Sequence, residues 1–152
     1  MHKRWPEFFV IDILIAIDKV NRTVSQLTFK DFVANEQYVD SVLRNLEIIG
    51  EATGQLLKYP DFLDGAGEIE WRKIVDFRNV IIHFYFGIDL DEIYGISLNQ
   101  VVVLEKDILD FIRQKDDRSK FLQAIEDAKA DLAEVFRHES VAYLQKIEKT
   151  IQ

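Results

Sequence analysis

The sequence has 152 residues, of which 48% are hydrophobic and eleven are Phe, enough for one domain with a hydrophobic core. It contains no Cys, which excludes disulfides and thiolate metal sites, and its two Pro and six Gly favour long helices over an all-β fold. The net charge of −8 argues against a protein that coats nucleic acid non-specifically, because such binding needs a basic surface. Acidic residues interrupt the apolar run near the N-terminus, so we expect neither a signal peptide nor a membrane span, and a cytoplasmic protein.

Apolar side chains recur at spacings of three and four in the first half of the chain, which predicts helices. The first helix covers about residues 7–20. Thr28 is predicted to cap a second helix, with Asp31 as its reciprocal partner in the first turn. A long helix covers about residues 35–57, carries a continuous apolar stripe and leads into a loop containing Gly and Pro.

The second half of the chain shows the same periodicity. A fourth helix is predicted over about residues 70–84 and a fifth over about 90–113. A final helix begins at Ser119 and is expected to break near residues 138–140. The predicted fold class is therefore all-α, an antiparallel helical bundle.

Charge is distributed unevenly along the chain. Residues 113–152 contain eight basic and eight acidic side chains, so the whole excess of −8 lies before them. We therefore predict a helical bundle over residues 1–114 and a separate C-terminal helical extension over residues 115–152.

The most informative stretch is residues 76–85, in the fourth predicted helix. At 100° per residue, Arg78 and Tyr85 fall nearly in register, and Asn79 and His83 stack on a neighbouring face. An apolar stripe lies beside them, made of Ile74, Phe77, Ile81 and Phe84. The helix would bury this flank, present the polar cluster on the other and need cover on almost all sides, for example from a second copy of the protein.

These four residue types suit RNA cleavage without a metal ion or cofactor. Histidine is the usual acid or base near neutral pH, so His83 can take that role, and Arg78 offers a planar set of donors to a phosphate. Asn79 can fix the imidazole or donate to a phosphate oxygen, and Tyr85 can stack on a base or donate a proton. From the residues alone, a purely structural role for this cluster remains an alternative.

The chain resembles the HepT-like family of HEPN proteins in this motif and around it. Residues 78–85 match the family's pattern of Arg, four residues, His, any residue and Tyr. Further similar segments occur in the family's order at residues 12–17, 44–52, 71–74 and 85–89. The resemblance covers about residues 8–112, and the extension beyond it could lengthen a dimer interface, dock on a partner or cover the cleft.

This resemblance implies a function. Such proteins are toxins of two-gene bacterial or archaeal systems, and their partner is a minimal nucleotidyltransferase antitoxin. They are helical homodimers in which two motifs face each other across a cleft and cleave RNA without metal. Carried over by position, Arg78 and His83 are the catalytic pair with Asn79 in support, and Tyr85 receives AMP from the antitoxin. Because residues 1–112 carry the whole net negative charge of the chain, we expect RNA to bind in a local pocket shared by two subunits.

Two charged residues of the long helix are weaker candidates for the site, and two glycines have a predicted packing role. Glu51 lies either on a solvated face or close enough to orient Arg78 or His83, and Arg44 could belong to the same outer layer of the site. Gly50 is predicted to allow a neighbouring helix to approach closely, as is Gly54.

Two other functions fit the same residues. The cluster could grip a nucleotide or a substrate in a non-catalytic subunit that serves a nucleotidyltransferase. It could also be part of a simple helical dimerisation module in which Arg78 and His83 satisfy each other across the interface.

Overall fold

The computed structural model describes residues 4–152, which contain eight α-helices and no strand. The predicted all-α bundle is confirmed. The helices are α1 (Pro6–Val24), α2 (Phe29–Ala34), α3 (Glu36–Leu56), α4 (Trp71–His83), α5 (Leu90–Leu98), α6 (Gln100–Arg113), α7 (Ser119–Glu134) and α8 (His138–Ile151), with a 3₁₀ turn at Tyr85–Gly87. Within the described residues, none of the helices is both long enough and apolar enough to cross a membrane.

Helix α1 forms the centre of the bundle. Its apolar residues recur every three or four positions, so Ile13, Ile17 and Val20 point into the core and are 0% exposed. Pro6 begins the helix at a position where a missing N–H costs no hydrogen bond. The helix packs most extensively against α3 and also contacts α5, α6, α7 and α8, so the other elements assemble around it.

Helix α3 lies against α1 and carries the predicted apolar stripe. Val42 and Leu56 are fully buried, whereas Tyr38 in the first turn is 40% exposed. The short helix α2 precedes α3, and its predicted cap is present because the Thr28 hydroxyl accepts the N–H of Asp31 at 3.1 Å. The charged side of α3 faces away from α1 and is free to meet α4.

The prediction of one helix over residues 90–113 is wrong, because the chain forms α5 and α6 with a break at Asn99. Asn99 has φ −117°, and its side-chain amide donates to the carbonyl of Gly95 at 2.9 Å. Asn forms such local bonds readily and is disfavoured inside helices for that reason.

Helix α4 is shorter than predicted, and this changes the geometry of the motif. It ends at His83, and a bond from the N–H of Gly87 to the carbonyl of Phe84 closes the 3₁₀ turn that contains Tyr85. Aromatic residues and Gly favour helix less than the preceding residues, which explains the early end. Tyr85 is therefore not in helical register with Arg78. Phe84, predicted for the core stripe, is 64% exposed.

Helices α7 and α8 form a hairpin that packs against α1. The chain turns at residues 135–137, slightly before the predicted break, and Phe136 adopts a left-handed conformation there with φ 63°. At the other end of the hairpin, the Arg118 guanidinium donates to the carbonyls of Arg113 and Ile151 at 2.7 and 2.8 Å. Carbonyls at helix ends lack partners within the helix, so Arg118 joins the ends of α6 and α8.

Candidate functional site

Helix α4 crosses α3 most closely where Gly50 meets Arg78. A Cβ placed on Gly50 would lie 2.1 Å from Cβ and 2.6 Å from Cγ of Arg78, so a larger residue would displace α4. Gly54 has nothing within 4 Å of such a Cβ. The predicted close approach is therefore confirmed for Gly50 but not for Gly54, and Gly50 sets how deeply Arg78 lies over α3.

The Arg78 side chain is 33% exposed and is oriented by two neighbours. Its Nη1 donates to Asn79 Oδ1 at 3.1 Å, and its Nη2 lies 3.8 Å from Glu51 Oε1. Its Nε is buried and has no hydrogen-bond partner within residues 4–152. Asn79 thus contacts Arg78 and not the imidazole of His83. The guanidinium is held in one direction and retains N–H donors for a further acceptor.

Glu51 connects two arginines across the helix crossing. The same carboxylate oxygen that faces Arg78 lies 3.7 Å from Arg44 Nη1, and Arg44 also lies 3.4 Å from Glu47 Oε2. Half-exposed ion pairs of this kind contribute little to stability, so their main effect is to orient the guanidinium groups. Of the two roles weighed for Glu51, the structure places it beside Arg78.

His83 lies apart from this group. It is the last residue of α4 and its side chain is exposed. It follows Arg78 by five positions, which corresponds to about 140° around the helix and about 7.5 Å along its axis. The structure therefore brings Arg44, Glu51, Arg78 and Asn79 together, but the side chains of Arg78 and His83 diverge within one chain.

Tyr85 is held by a residue that the sequence analysis missed. Its hydroxyl donates a 2.5 Å hydrogen bond to Asp40 Oδ1 on α3. This hydrogen bond is the main reason that the pKa of the Tyr85 phenol is raised, and the nearby Glu36 carboxylate raises the pKa further. The phenol is therefore protonated at neutral pH. Its ring is 41% exposed and packs edge-on against the fully exposed Phe86.

A pattern in the sequence could have indicated Asp40. Asp40, Arg44, Glu47 and Glu51 follow one another at steps of four, three and four, which places them on one face of α3. This charged face contacts α4 and the 3₁₀ turn through Glu51 and Asp40. A charged stripe at helical spacing opposite an apolar one therefore marked the surface that receives the motif.

Apolar side chains of α4 remain exposed on both flanks of its polar outer side. Val80 and Ile82 on α4 are 46% and 40% exposed, next to the exposed Phe84. An open groove of about 590 Å³ runs between α4 and α6, with Phe77 and Val103 among its walls. Clustered exposed apolar residues indicate an interaction surface.

Comparison with known proteins shows the family of the chain. Residues 13–114 match the family model described as Ribonuclease HepT-like. The chain belongs to the HepT-like ribonuclease family. The match includes α3, α4 and the 3₁₀ turn, so every residue of the group described above lies within it.

Curated relatives of this HepT-like chain come from archaea and bacteria. A protein of Methanocaldococcus jannaschii named "Putative RNase MJ1380" is 32% identical over 108 residues, which are 71% of this chain and 97% of the relative. A second one from that organism, "Putative RNase MJ0127", is 31% identical over 113 residues, 74% of this chain and 92% of the relative. "Probable ribonuclease HepT" of Thermococcus cleftensis is 35% identical over 88 residues, 58% of this chain and 78% of the relative.

No solved structure gives a significant match to this chain. The family match ends at Gln114, so the α7–α8 hairpin lies outside the part that the HepT-like family model describes.

Proposed function

We propose that this HepT-like protein is the toxin of a toxin–antitoxin system and acts as a metal-independent endoribonuclease. The observation that carries the proposal is the group formed by Arg78, Asn79 and Glu51 at the α3–α4 crossing, in a member of a ribonuclease family. Phosphodiester cleavage needs a group that stabilises phosphate charge and groups that transfer protons, and Arg78 and His83 are residues of these two types.

In the proposed reaction a ribose 2′-oxygen attacks the adjacent phosphorus, and the bond from phosphorus to the 5′-oxygen breaks. One imidazole removes the proton of the 2′-hydroxyl, and another returns a proton to the leaving 5′-oxygen. Arg78 stabilises the additional negative charge on the phosphate oxygens. Asn79 and Glu51 keep the Arg78 guanidinium oriented, and Arg44 holds Glu51 in turn.

The proposed active form is a homodimer. Within one chain Arg78 and His83 diverge, so a second copy is needed to bring an imidazole opposite a guanidinium and to supply a second imidazole. The apolar residues Val80, Ile82 and Phe84 lie next to the motif, where they would be buried by such a partner. Two copies of His83 then provide one general base and one general acid.

The proposed antitoxin is a minimal nucleotidyltransferase that silences the enzyme by adding AMP to Tyr85. In this step the phenol oxygen bonds to the α-phosphorus of ATP, pyrophosphate leaves and the phenol proton is released. The product has no hydroxyl hydrogen to donate to Asp40, and it places a phosphate charge beside that carboxylate. The modified side chain therefore leaves Asp40 and adds negative charge near the path of the RNA.

Purified unmodified protein should cleave RNA in the presence of EDTA, and its expression should arrest growth. We expect His83→Ala and Arg78→Ala each to lower the cleavage rate at least 100-fold, because they remove a proton donor or acceptor and a charge-stabilising group. Arg72→Ala is the matched control, since Arg72 is exposed on the first turn of α4 and forms no ion pair within residues 4–152. The proposed nuclease activity would be refuted if the wild-type protein cuts no RNA and its expression does not arrest growth. Nucleotide binding without cleavage would point to the non-catalytic subunit instead.

The regulatory proposal has a separate test. After co-expression with the nucleotidyltransferase, the intact mass of the wild-type chain should increase by at least one AMP unit, and Tyr85→Phe should show no increase. Tyr59→Phe serves as a control for the loss of a tyrosine elsewhere. A mass increase that persists in Tyr85→Phe would rule out Tyr85 as the modified residue.

A further inference from the structure

A cavity of about 730 Å³ lies where the α7–α8 corner meets the end of α1 and the start of α3. Residues 136–140 form one of its walls, and they lie beyond the family match, which ends at Gln114. The cavity therefore exists in this chain because of its C-terminal extension.

The cavity is basic, although the chain has a net charge of −8. Four basic side chains line it, namely Lys19, Arg22, Arg137 and His138. Arg22 is neutralised by ion pairs with Asp18, at 2.8 Å, and with Glu139. Lys19 and Arg137, in contrast, have no carboxylate within 4 Å among residues 4–152. Two cations that form no ion pair among the described residues thus share one cavity, which is a suitable environment for an anion.

The electrostatic state of Lys19 agrees with this reading. Burial lowers the pKa of its ammonium group, the Arg137 and Arg22 guanidinium groups lower the pKa further, and the Asp18 carboxylate partly opposes them. An anion between Lys19 and Arg137 would relieve their repulsion and restore the pKa of Lys19.

Two aromatic side chains flank the same cavity. Phe136 is 80% exposed and Tyr38 is 40% exposed. Phe136 occupies a left-handed backbone position at the end of α7, where Gly is the favoured residue. An exposed aromatic ring next to cations suits a nucleotide of single-stranded RNA, because the ring stacks on a base while the cations bind phosphate.

The position of the cavity relates it to the motif. Ser41 lies in the cavity wall, and its chain neighbour Asp40 binds the hydroxyl of Tyr85. From Ser41 the same helix leads to Glu51, beside Arg78, over about 15 Å. One RNA strand can therefore reach both places along α3.

We propose that this cavity binds a phosphate of the substrate RNA away from the cleavage position, with Lys19 and Arg137 contacting the phosphate and Phe136 stacking on an adjacent base. The inference rests on the proposed ribonuclease function and gives the C-terminal extension a role in holding RNA. Arg78 and Arg44 already lie beside the carboxylates of Glu51 and Glu47, so binding of the RNA backbone needs cations from elsewhere in the chain.

The test measures the affinity of the full chain for a labelled 12-nucleotide single-stranded RNA by fluorescence anisotropy. His83→Ala is present throughout so that the RNA is not cut. We expect Lys19→Gln/Arg137→Gln to raise Kd about tenfold and to reduce the slope of log affinity against log salt by about 1.4, since two phosphate-binding cations are lost. Lys146→Gln/Lys149→Gln removes the same charge from exposed positions on α8 outside the cavity and should change Kd less than twofold.

A second variant separates binding from folding. Phe136→Gly should raise Kd about tenfold because a base loses its stacking partner, whereas Tm should rise because Gly relieves the left-handed position. A weaker affinity accompanied by a higher Tm cannot be attributed to damage to the fold.

Several results would overturn the inference. If Lys19→Gln/Arg137→Gln has the same Kd for RNA as the α8 control, the cavity does not bind RNA and the inference is refuted. The proposed nuclease function would still stand if the wild-type protein cleaves RNA. Displacement of the RNA by AMP or inorganic phosphate at concentrations near the Kd of the RNA would assign the cavity to a free nucleotide or phosphate. Conversely, an RNA-binding cavity in a wild-type protein that cuts nothing would leave the inference standing and refute the nuclease.

Discussion

Helices α1 and α4 are both rich in apolar residues, yet the fold uses them in opposite ways. Nine of the 19 residues of α1 are buried, against two of the 13 residues of α4. Five helices contact α1, whereas α4 packs extensively against α3 alone. The apolar side chains that would be core residues in α1 are therefore exposed in α4.

The difference indicates that α1 contributes mainly to stability and α4 mainly to the proposed activity. Burial of a large apolar side chain contributes about 1.5–3 kcal/mol, so α1 supplies much of the folding free energy. Few side chains of α4 are buried within the chain, so the helix that carries the motif is accessible to a partner. Substitutions in α1 should therefore lower the stability of the fold, whereas substitutions in α4 should affect assembly.

The largest effect on stability is expected in α1. Ile17→Ala removes a fully buried side chain and should lower the free energy of unfolding by about 2–5 kcal/mol, measured by urea denaturation. Ile15→Ala, on the partly exposed side of the same helix, is the matched control and should cost clearly less. Equal losses at both positions would contradict the central place assigned to α1.

In α4 the expected effect is on assembly. Ile82→Asp places a charge on the exposed face of α4 and should convert the proposed dimer to a monomer, with about a 100-fold loss of RNA cleavage. Light scattering coupled to size exclusion would report the mass. Val135→Asp, an exposed apolar position at the α7–α8 corner, should leave the mass unchanged. A dimer that survives Ile82→Asp would show that this face is not the interface.

The contact between α3 and α4 gives a comparison within a single helix. Gly50→Ala should destabilise the fold by about 1–3 kcal/mol, because its Cβ collides with Arg78 and forces α4 outward. The Tm should fall by about 3–10 °C. Gly54→Ala meets no atom within 4 Å and should stabilise the helix by about 0.5–1 kcal/mol. Changes of the same sign at both glycines would argue against the described crossing.

The smallest effect concerns Glu7 at the start of α1. Burial raises its pKa, and its Oε2 is buried without a hydrogen-bond partner within residues 4–152. A raised pKa in the folded state means that ionisation destabilises the fold as pH rises from below the ordinary value through the folded one. Glu7→Gln should therefore raise Tm by a few degrees at pH 7 and change it little below about pH 4.

The control for this pH dependence is Glu36→Gln, since Glu36 is exposed in the first turn of α3. Its carboxylate interacts favourably with the helix dipole, so the substitution should lower Tm slightly at pH 7. A Glu7→Gln protein less stable than wild type at pH 7 would show that the carboxylate is stabilising.

The sequence predicted the helices well because their periodicity is a local property. It failed at Asn99, where a side chain competes with the backbone, and at Tyr85, where three aromatic residues end α4 early. Both failures concern helix ends, which depend on a few hydrogen bonds and not on the apolar pattern.

The site was predicted only in part for a different reason. The spacing of the motif on one helix paired Arg78 with Tyr85 and Asn79 with His83, whereas in the structure Asn79 is bonded to Arg78. The bond from Tyr85 to Asp40 joins residues 45 positions apart, and the cavity at Lys19 and Arg137 joins α1 to the extension. Such contacts depend on how helices pack, and no local pattern contains them.

The bonds that Arg118 makes to the ends of α6 and α8 have a consequence for how the protein opens. One end of the hairpin is tied to α6 there, and the corner is tied to α1 through the ion pair of Arg22 with Glu139. A segment fixed at both ends cannot detach without exposing the apolar surface of α1. Backbone amides of α7 and α8 should therefore exchange with solvent deuterium as slowly as those of α1, so that the extension and the bundle open as a single cooperative unit.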